Sequence, residues 1–311
     1  MAEPVIVVRG LRKAYGTYEA VRGLDLEVRP GEIFAFLGPN GAGKTTTVEI
    51  LEGYRERTAG EVRVLGEDPA RAGRRWRERI GVVLQECRVP SLLTVREVLG
   101  MYAGYYPHPR GVAETIDLVG LADQATKRGS KLSGGQQRRL DVALALIGDP
   151  DLLFLDEPTT GFDPAARRGA WDLIADLRNL GKTVFLTTHY MDEAQHLADR
   201  VAILKAGLIV AEGRPRDLVP QERVLTRIRF RLPPDVTVAA LPPLVGSRVQ
   251  EASDRLELST DQPVRDLAEL TTWALAQEVE LGDLEAQRPT LEDIYLELTA
   301  DDTAPAEVPA S

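Results

Sequence analysis

Gly38-Pro39-Asn40-Gly41-Ala42-Gly43-Lys44-Thr45 reads G-x-x-x-x-G-K-T, the spacing with which a chain curls its backbone amides around phosphates. The glycines remove the Cβ atoms that would obstruct that turn. Lys44 brings a full positive charge to the β- and γ-phosphates, and the Thr45 hydroxyl can ligate Mg²⁺. Thr46 follows at the start of a helix, so residues 38–46 form one cofactor-binding group. That helix start adds partial positive charge at the same place. Alone, the loop specifies a bound nucleotide and leaves the reaction open.

Other residues narrow the chemistry. Asp156-Glu157 ends the apolar run Leu152-Leu153-Phe154-Leu155. Open parallel sheets bind ligands at the strands' C-terminal ends, so two carboxylates there read as functional. Asp156 suits Mg²⁺ held through water, and Glu157 suits a general base aimed at an attacking water. His189 ends a second apolar run, Thr183 to Thr188, and the same edge makes it a phosphate sensor. Ser133 and Gln136 stand three apart, the form of a capping box. Gly134 and Gly135 between them let a large anion approach the positive end of that helix. Tyr15, in the turn Lys13-Ala14-Tyr15-Gly16, can stack on an adenine ring or simply pack at the surface.

These residues need a scaffold, and the patterning supplies one. Ile33 to Leu37 is a short apolar run before the phosphate loop, suited to a buried parallel strand. Thr46 to Glu52 continues as a helix that Gly53 closes. Ile80 to Leu84 is another buried strand, ending at Gln85. Val5 to Val8, Leu24 to Val28 and Glu61 to Gly66 read as a flanking antiparallel layer. Residues 91–147 are helical, with helices from Thr94, from Ala113, and from Ser133 to about Ile147, where Gly148 and Pro150 stop the last. Asp163 caps a helix with Pro164 at its first position, and Gly181 ends it. Val201 to Leu204 and Leu208 to Ala211 pair around Ala206-Gly207.

Composition bounds the possibilities. The chain has 311 residues, enough for two domains, and a formal net charge of -10, which argues against a general nucleic-acid binder. Cys87 is the one cysteine, so no intrachain disulfide can form. Met1-Ala2-Glu3-Pro4 lacks the basic and apolar regions of a signal peptide. No apolar stretch approaches the roughly 20 residues of a membrane helix. Work at a membrane therefore calls for another chain to do the spanning.

Together the motifs resemble the nucleotide-binding subunit of an ATP-binding cassette (ABC) transporter. The resemblance runs from residue 3 to about 220. It takes in Tyr15, the phosphate loop, Gln85, Leu132-Ser133-Gly134-Gly135-Gln136, Asp156-Glu157, Thr160-Gly161-Phe162-Asp163 and His189, in family order. Phe162 stands where leucine is more usual. The implied fold is α/β, a P-loop NTPase cassette with a parallel core sheet, an antiparallel β layer and a helical subdomain at about 91–147. The implied cofactors are ATP and Mg²⁺. Two copies would face head to tail, each ATP lying between one phosphate loop and the partner's signature helix. Asp163 would lie at that interface, Tyr15 against adenine, and His189 against the γ-phosphate. Gln85 would contact Mg²⁺ and water and relay the state of the site to a separate transmembrane permease, which docks near residues 86–94.

After Gln221 the pattern restarts. Leu225 to Leu232 alternates, with Arg227, Arg229 and Arg231 on one face and Ile228, Phe230 and Leu232 on the other. Leu256 to Leu258 reads as a strand, Val264 to Leu275 as a helix, Val279 to Leu284 as a strand, and a helix capped by Thr290 runs through Leu298. This suggests a small α+β domain at 224–299, on a ferredoxin-like plan, with a regulatory or dimer-supporting role. The acidic, Pro- and Ala-rich residues 300–311 read as a disordered tail. Pro289 to Leu298 is similar to the end of ABC-2 exporter ATPases of the daunorubicin-resistance kind. The reading is thus an ATPase subunit of a drug or hydrophobic-compound exporter, a homodimer peripheral to the cytoplasmic membrane face, with no nucleic acid as partner. Its rivals are an ABC ATPase acting on ribosomes or nucleic acid, and an importer ATPase.

Overall fold

The computed structural model describes residues 3–84, 92–218, 225–242, 248–252, 255–288 and 290–299. Gln85, the rest of 85–91 and the tail at 300–311 lie outside the described residues. The chain divides into two compact units, Met1–Pro215 and Arg216–Ser311.

The first unit opens with β1 (Ile6–Tyr15), β2 (Tyr18–Val28), β3 (Ile33–Leu37), α1 (Lys44–Leu51) and β4 (Ala59–Val64). Strands β2, β1 and β4 form the expected antiparallel layer, in that order. Alternate residues of β1, β2 and β4, such as Ile6, Val8, Leu26 and Val64, are buried in one core with Phe34 and Phe36 of β3. A short helix that the patterning missed, α2 (Arg74–Arg77), buries Trp76, whose Nε1 donates to the Val64 carbonyl at 2.8 Å.

The core sheet adds β5 (Ile80–Val83), then after the helical segment β6 (Leu152–Asp156), β7 (Thr183–Thr188), β8 (Arg200–Lys205) and β9 (Leu208–Gly213). Its order is β5-β6-β7-β3-β8-β9, parallel except for the edge strand β9. Ala206 and Gly207 both hold positive φ, so the β8–β9 hairpin turns with the twist its strands need. Every residue of β3 and β7 is buried, as helices on both faces of a parallel sheet require.

Between β5 and β6 lie α3 (Val95–Ala103), α4 (Val112–Leu118) and α5 (Gly134–Leu146). The expected helix starts hold: Thr94 and Ser133 both close capping boxes, with Glu97 and Gln136. The stop of α5 differs in detail. Asp149, not Gly148, takes the left-handed conformation (φ 53°), held by Lys182 and Arg110. Gly148 is needed for close packing, because a Cβ there would lie 2.3 Å from the Tyr106 ring. Helix α6 (Pro164–Asn179) starts as expected, with Asp163 accepting from the Ala166 amide at 2.9 Å, and α7 (Met191–Leu197) follows β7.

The second unit holds β10 (Thr226–Arg231), β11 (Arg248–Ala252), β12 (Arg255–Thr260), α8 (Pro263–Ala276), β13 (Gly282–Gln287) and α9 (Leu291–Thr299). Ile228, Phe230, Leu256, Leu258 and Leu270 make its core. The strand order is β11-β12-β10-β13 and every pairing is antiparallel. Numbered from β10 as the first strand, this is the order 4-1-3-2 of the ferredoxin-like plan, in which β12-α8-β13 is a split βαβ unit with β10 between its strands. The described part of the β10–β11 connection holds a single 3₁₀ turn, Val238–Ala240, in place of a crossover helix. The last strand also begins three residues later than expected. Glu278 takes positive φ and the Val279 amide caps α8 by donating to Ala274 at 2.8 Å, so Val279 ends a helix rather than starting a strand.

Candidate active site

The phosphate loop joins the C-terminal end of β3 to α1. Gly41 and Gly43 hold φ of +80° and +102°, values that side chains rarely adopt. A Cβ added at Gly38 or Gly43 would also lie 2.5 Å from the Leu204 carbonyl oxygen or 2.4 Å from that of Ala20. Two other chain segments therefore press against the loop from outside and hold it curled. Pro39, Asn40, Gly41 and Thr45 are exposed at its mouth, Thr46 is half-buried and Ala42 is buried. The Lys44 ammonium is buried and donates to the carbonyls of Gly38 (2.7 Å) and Pro39 (3.1 Å). Burial pushes its pKa down, while the nearby charges of Glu157 and Asp156 pull the other way. An anion entering the loop competes with those two carbonyls for the ammonium.

Strand β6 delivers Asp156 and Glu157 to the same edge. Thr187 of β7 donates its hydroxyl to Asp156 and accepts from the Glu157 amide at 3.2 Å, while its carbonyl accepts from that amide at 3.0 Å. Glu157 has φ 45°, a left-handed conformation costly for a residue with a Cβ. The strain turns its carboxylate off the strand line. Oε1 then lies 3.2 Å from His189 Nδ1, and Oε2 accepts from the Thr160 hydroxyl at 3.1 Å. The structure thus brings Lys44, Asp156, Glu157 and His189 into one cluster.

The signature residues open a different element. Ser133 and Gly134 are exposed at the start of α5, which packs on β5. Strands β6 and β7 separate β5 from β3, three strand spacings or about 14 Å. A Cβ at Gly134 would meet open space, so packing within the chain does not demand glycine there. Ser133, Gly135 and Gln136 share a groove of about 390 Å³ with Phe162 and Ala166, which places the signature beside the loop that ends in Asp163. Tyr15 is partly exposed, with Lys13 and Arg55 over its ring at 5.1 and 5.4 Å. The aromatic in contact with the phosphate loop is Tyr18, whose hydroxyl donates to the Gly41 carbonyl at 3.4 Å.

Three residues of the site carried no sequence signal. Thr187 sits unremarked within an apolar strand. Arg138, buried on α5, donates to the carbonyls of Leu84, Asp156, Glu157 and Pro158, tying the signature helix to the carboxylate turn. Glu52 is 6% exposed at the end of α1. Burial, then the charges of Asp156 and Glu49, push its pKa up from 4.5 to about 8.

Glu52 has a measurable consequence. Its native form is protonated at neutral pH, whereas the unfolded chain ionises it above about 4.5. The stability this contributes is complete below pH 4.5 and is lost as pH rises through about 8. Each pH unit crossed in that window costs up to about 1.4 kcal/mol. In buffer without nucleotide or divalent cation, Glu52→Gln will melt with a flatter pH profile than the parent between pH 5 and 8. Parallel profiles for the two proteins would refute the assignment.

Mg²⁺ needs hard oxygen donors and few of them from protein, since nucleotide phosphates and water complete its octahedron. Among the described residues no cluster of three or more His, Cys, Asp or Glu is built to hold a metal by itself. The exposed Thr45 hydroxyl and the Asp156 carboxylate, oriented by Thr187, are donors of the fitting kind.

Comparison with known proteins places these features in context. Residues 21–160 match the family model described as ABC transporter, and residues 226–290 match one described as ABC transporter domain-containing protein-like, C-terminal domain. The chain is 39% identical over 314 residues to the daunorubicin resistance ATP-binding protein DrrA3 of Streptomyces coeruleorubidus, covering 97% of this chain and 98% of that protein. It is also 39% identical over 308 residues to the Nod factor export ATP-binding protein I of Paraburkholderia xenovorans, covering 96% and 98%. Among solved structures it resembles a dimeric ATP-binding cassette in a post-hydrolysis state bound to ADP and phosphate. That match has a TM-score of 0.60 and 26% identity, over 67% of this chain and 98% of that one.

Proposed function

The chain belongs to the ABC transporter ATP-binding family, and from that premise we propose that it is the ATPase subunit of an exporter. It works with Mg²⁺, pairs with a second copy of itself, and drives a drug-like or other hydrophobic compound through a separate membrane permease. The observation that carries this reading is the cluster of Lys44, Asp156, Glu157 and His189 at one sheet edge, with Ser133 and Gly134 exposed at the start of α5.

The chemistry follows from those positions. The curled loop and α1 bind the phosphates through backbone amides, and Lys44 gives up its loop carbonyls to pair with them. Thr45 and Asp156 would hold Mg²⁺, which neutralises phosphate charge when bound. Glu157 accepts a proton from the attacking water, and His189, within reach of Glu157, contacts the γ-phosphate. Ser133, Gly134 and Gly135 make a second anion site at the exposed start of α5, which a partner copy's nucleotide fills. Tyr15 stacks on adenine and Asp163 lies at the interface. Gln85 belongs to the proposal as a ligand of Mg²⁺ and water; it lies outside the described residues.

Among the described residues no helix is long and apolar enough to cross a membrane. A peripheral subunit at the cytoplasmic membrane face, docked on a permease near residues 86–94, fits that finding. The same reading assigns 3–220 to the cassette and 224–299 to a regulatory or dimer-supporting domain. Affinity capture of the tagged chain from detergent-solubilised membranes tests the assignment. A multi-span membrane protein should be retained, and hydrolysis by the complex should stop in EDTA and return with Mg²⁺. Retention of a solute-binding protein with the permease would replace export by import. Recovery of ribosomes or nucleic acid alone, released by salt, would overturn the transporter reading.

A further inference from the structure

Glu193 of α7 is fully buried, and the steps above give it no work. Its Oε1 accepts from the Thr159 hydroxyl at 2.8 Å and from Trp171 Nε1 of α6 at 3.2 Å. The Thr188 side chain bonds to the same carboxyl. These partners come from three segments. Thr159 follows the Asp156-Glu157 turn and precedes the loop that ends in Asp163. Thr188 directly precedes His189. Trp171 anchors the helix that Asp163 caps. Contacts outside the carboxyl bind the same pieces: the Arg167 guanidinium lies 4.3 Å over the Tyr190 ring, Trp171 stacks on His196 at 4.9 Å, and the His189 and Tyr190 rings are 4.1 Å apart.

A buried carboxyl is costly unless its hydrogen bonds are worth more than its lost hydration. An apolar side chain would fill the space between α6 and α7 without that cost. What an accepting oxygen supplies, and an apolar side chain does not, is simultaneous bonding to both segments. We propose that Glu193 is a positioning residue that locks the Asp163-bearing loop to the His189-bearing turn, so that both move together as nucleotide binds and leaves. The proposal rests on the nucleotide roles argued above for His189 and Asp163. It adds a fixed link between the residue facing this chain's own γ-phosphate and the residue facing the partner copy. Glu193 has no bond to the phosphate loop, so nucleotide affinity should not depend on it.

The test measures steady-state ATP hydrolysis and thermal melting on the full chain as parent, Glu193→Ala, Glu193→Gln and Thr159→Val. Misplacing a group that orients the reacting site costs tenfold to a hundredfold without touching substrate. Glu193→Ala should lower kcat by about tenfold or more with KM for ATP within about twofold of the parent. Glu193→Gln keeps the accepting oxygen and should recover most of that rate. Thr159→Val removes one bond only and should give an intermediate loss with unchanged melting, which keeps the test decisive if the alanine variant fails to fold. A Glu193→Ala rate within twofold of the parent would overturn the proposal. So would equal losses of kcat, ATP affinity and melting temperature in the alanine and glutamine variants, the mark of a residue that only fills space. A parent that hydrolyses no ATP would strike the functional reading itself and this proposal with it, and it shows before any variant is compared.

Discussion

Lys44→Ala will abolish ATP hydrolysis. The ammonium is held under the loop by the carbonyls of Gly38 and Pro39, where an incoming phosphate takes over its bonds. Alanine removes that charge and leaves the loop's shape intact, because the shape comes from Gly41 and Gly43 at positive φ and from the pressing carbonyls of Ala20 and Leu204. The loss should therefore fall on phosphate affinity and transition-state charge, with little effect on folding. Turnover under saturating Mg-ATP, alongside a melting curve, checks it. Near-parental hydrolysis in a folded Lys44→Ala protein would remove the phosphate loop from the mechanism.

Glu157→Gln will slow hydrolysis by about 10²–10⁴-fold, the usual worth of a positioned base. The amide keeps the size of the carboxylate and can still bond Thr160 and His189, but it cannot accept the water's proton. ATP binding should survive, since Lys44, Thr45 and the loop amides are untouched. The strained backbone at residue 157 is common to parent and variant, so the loss reports the missing proton acceptor. A φ of 45° is retained at a carboxylate that the site needs turned off the strand line. A rate within tenfold of the parent would assign the base elsewhere.

How much of this was legible in the sequence depended on the range of the interactions involved. The phosphate loop, the Ser133–Gln136 box, the Asp156-Glu157 pair and the Asp163 cap each act within a few residues, and each stands where the spacing put it. Arg138 was not legible as a clamp, because its bond to Leu84 spans 54 positions. Glu193 bonds Thr159 across 34 positions and looks from the sequence like one more acid on a short helix. Thr187 hides in a strand whose apolar run signals only burial. Strand β11 also escaped notice, since Arg-Val-Gln-Glu-Ala has no period of two to announce it. Val279 misled for the opposite reason. It is β-branched and apolar, yet its amide is spent on closing α8.

The central claim is that two copies of this chain share nucleotide between the phosphate loop of one and the Ser133 helix of the other. Size-exclusion chromatography of full-length Glu157→Gln tests it most directly. With hydrolysis slowed, Mg-ATP should hold a closed dimer that returns to monomer when ADP replaces ATP. Ser133→Arg added to that variant should abolish the dimer, because its bulk occupies the space reserved for the partner's phosphate. A Glu157→Gln protein that binds ATP and stays monomeric at high concentration, or a nucleotide-dependent dimer indifferent to Ser133→Arg, would contradict the account.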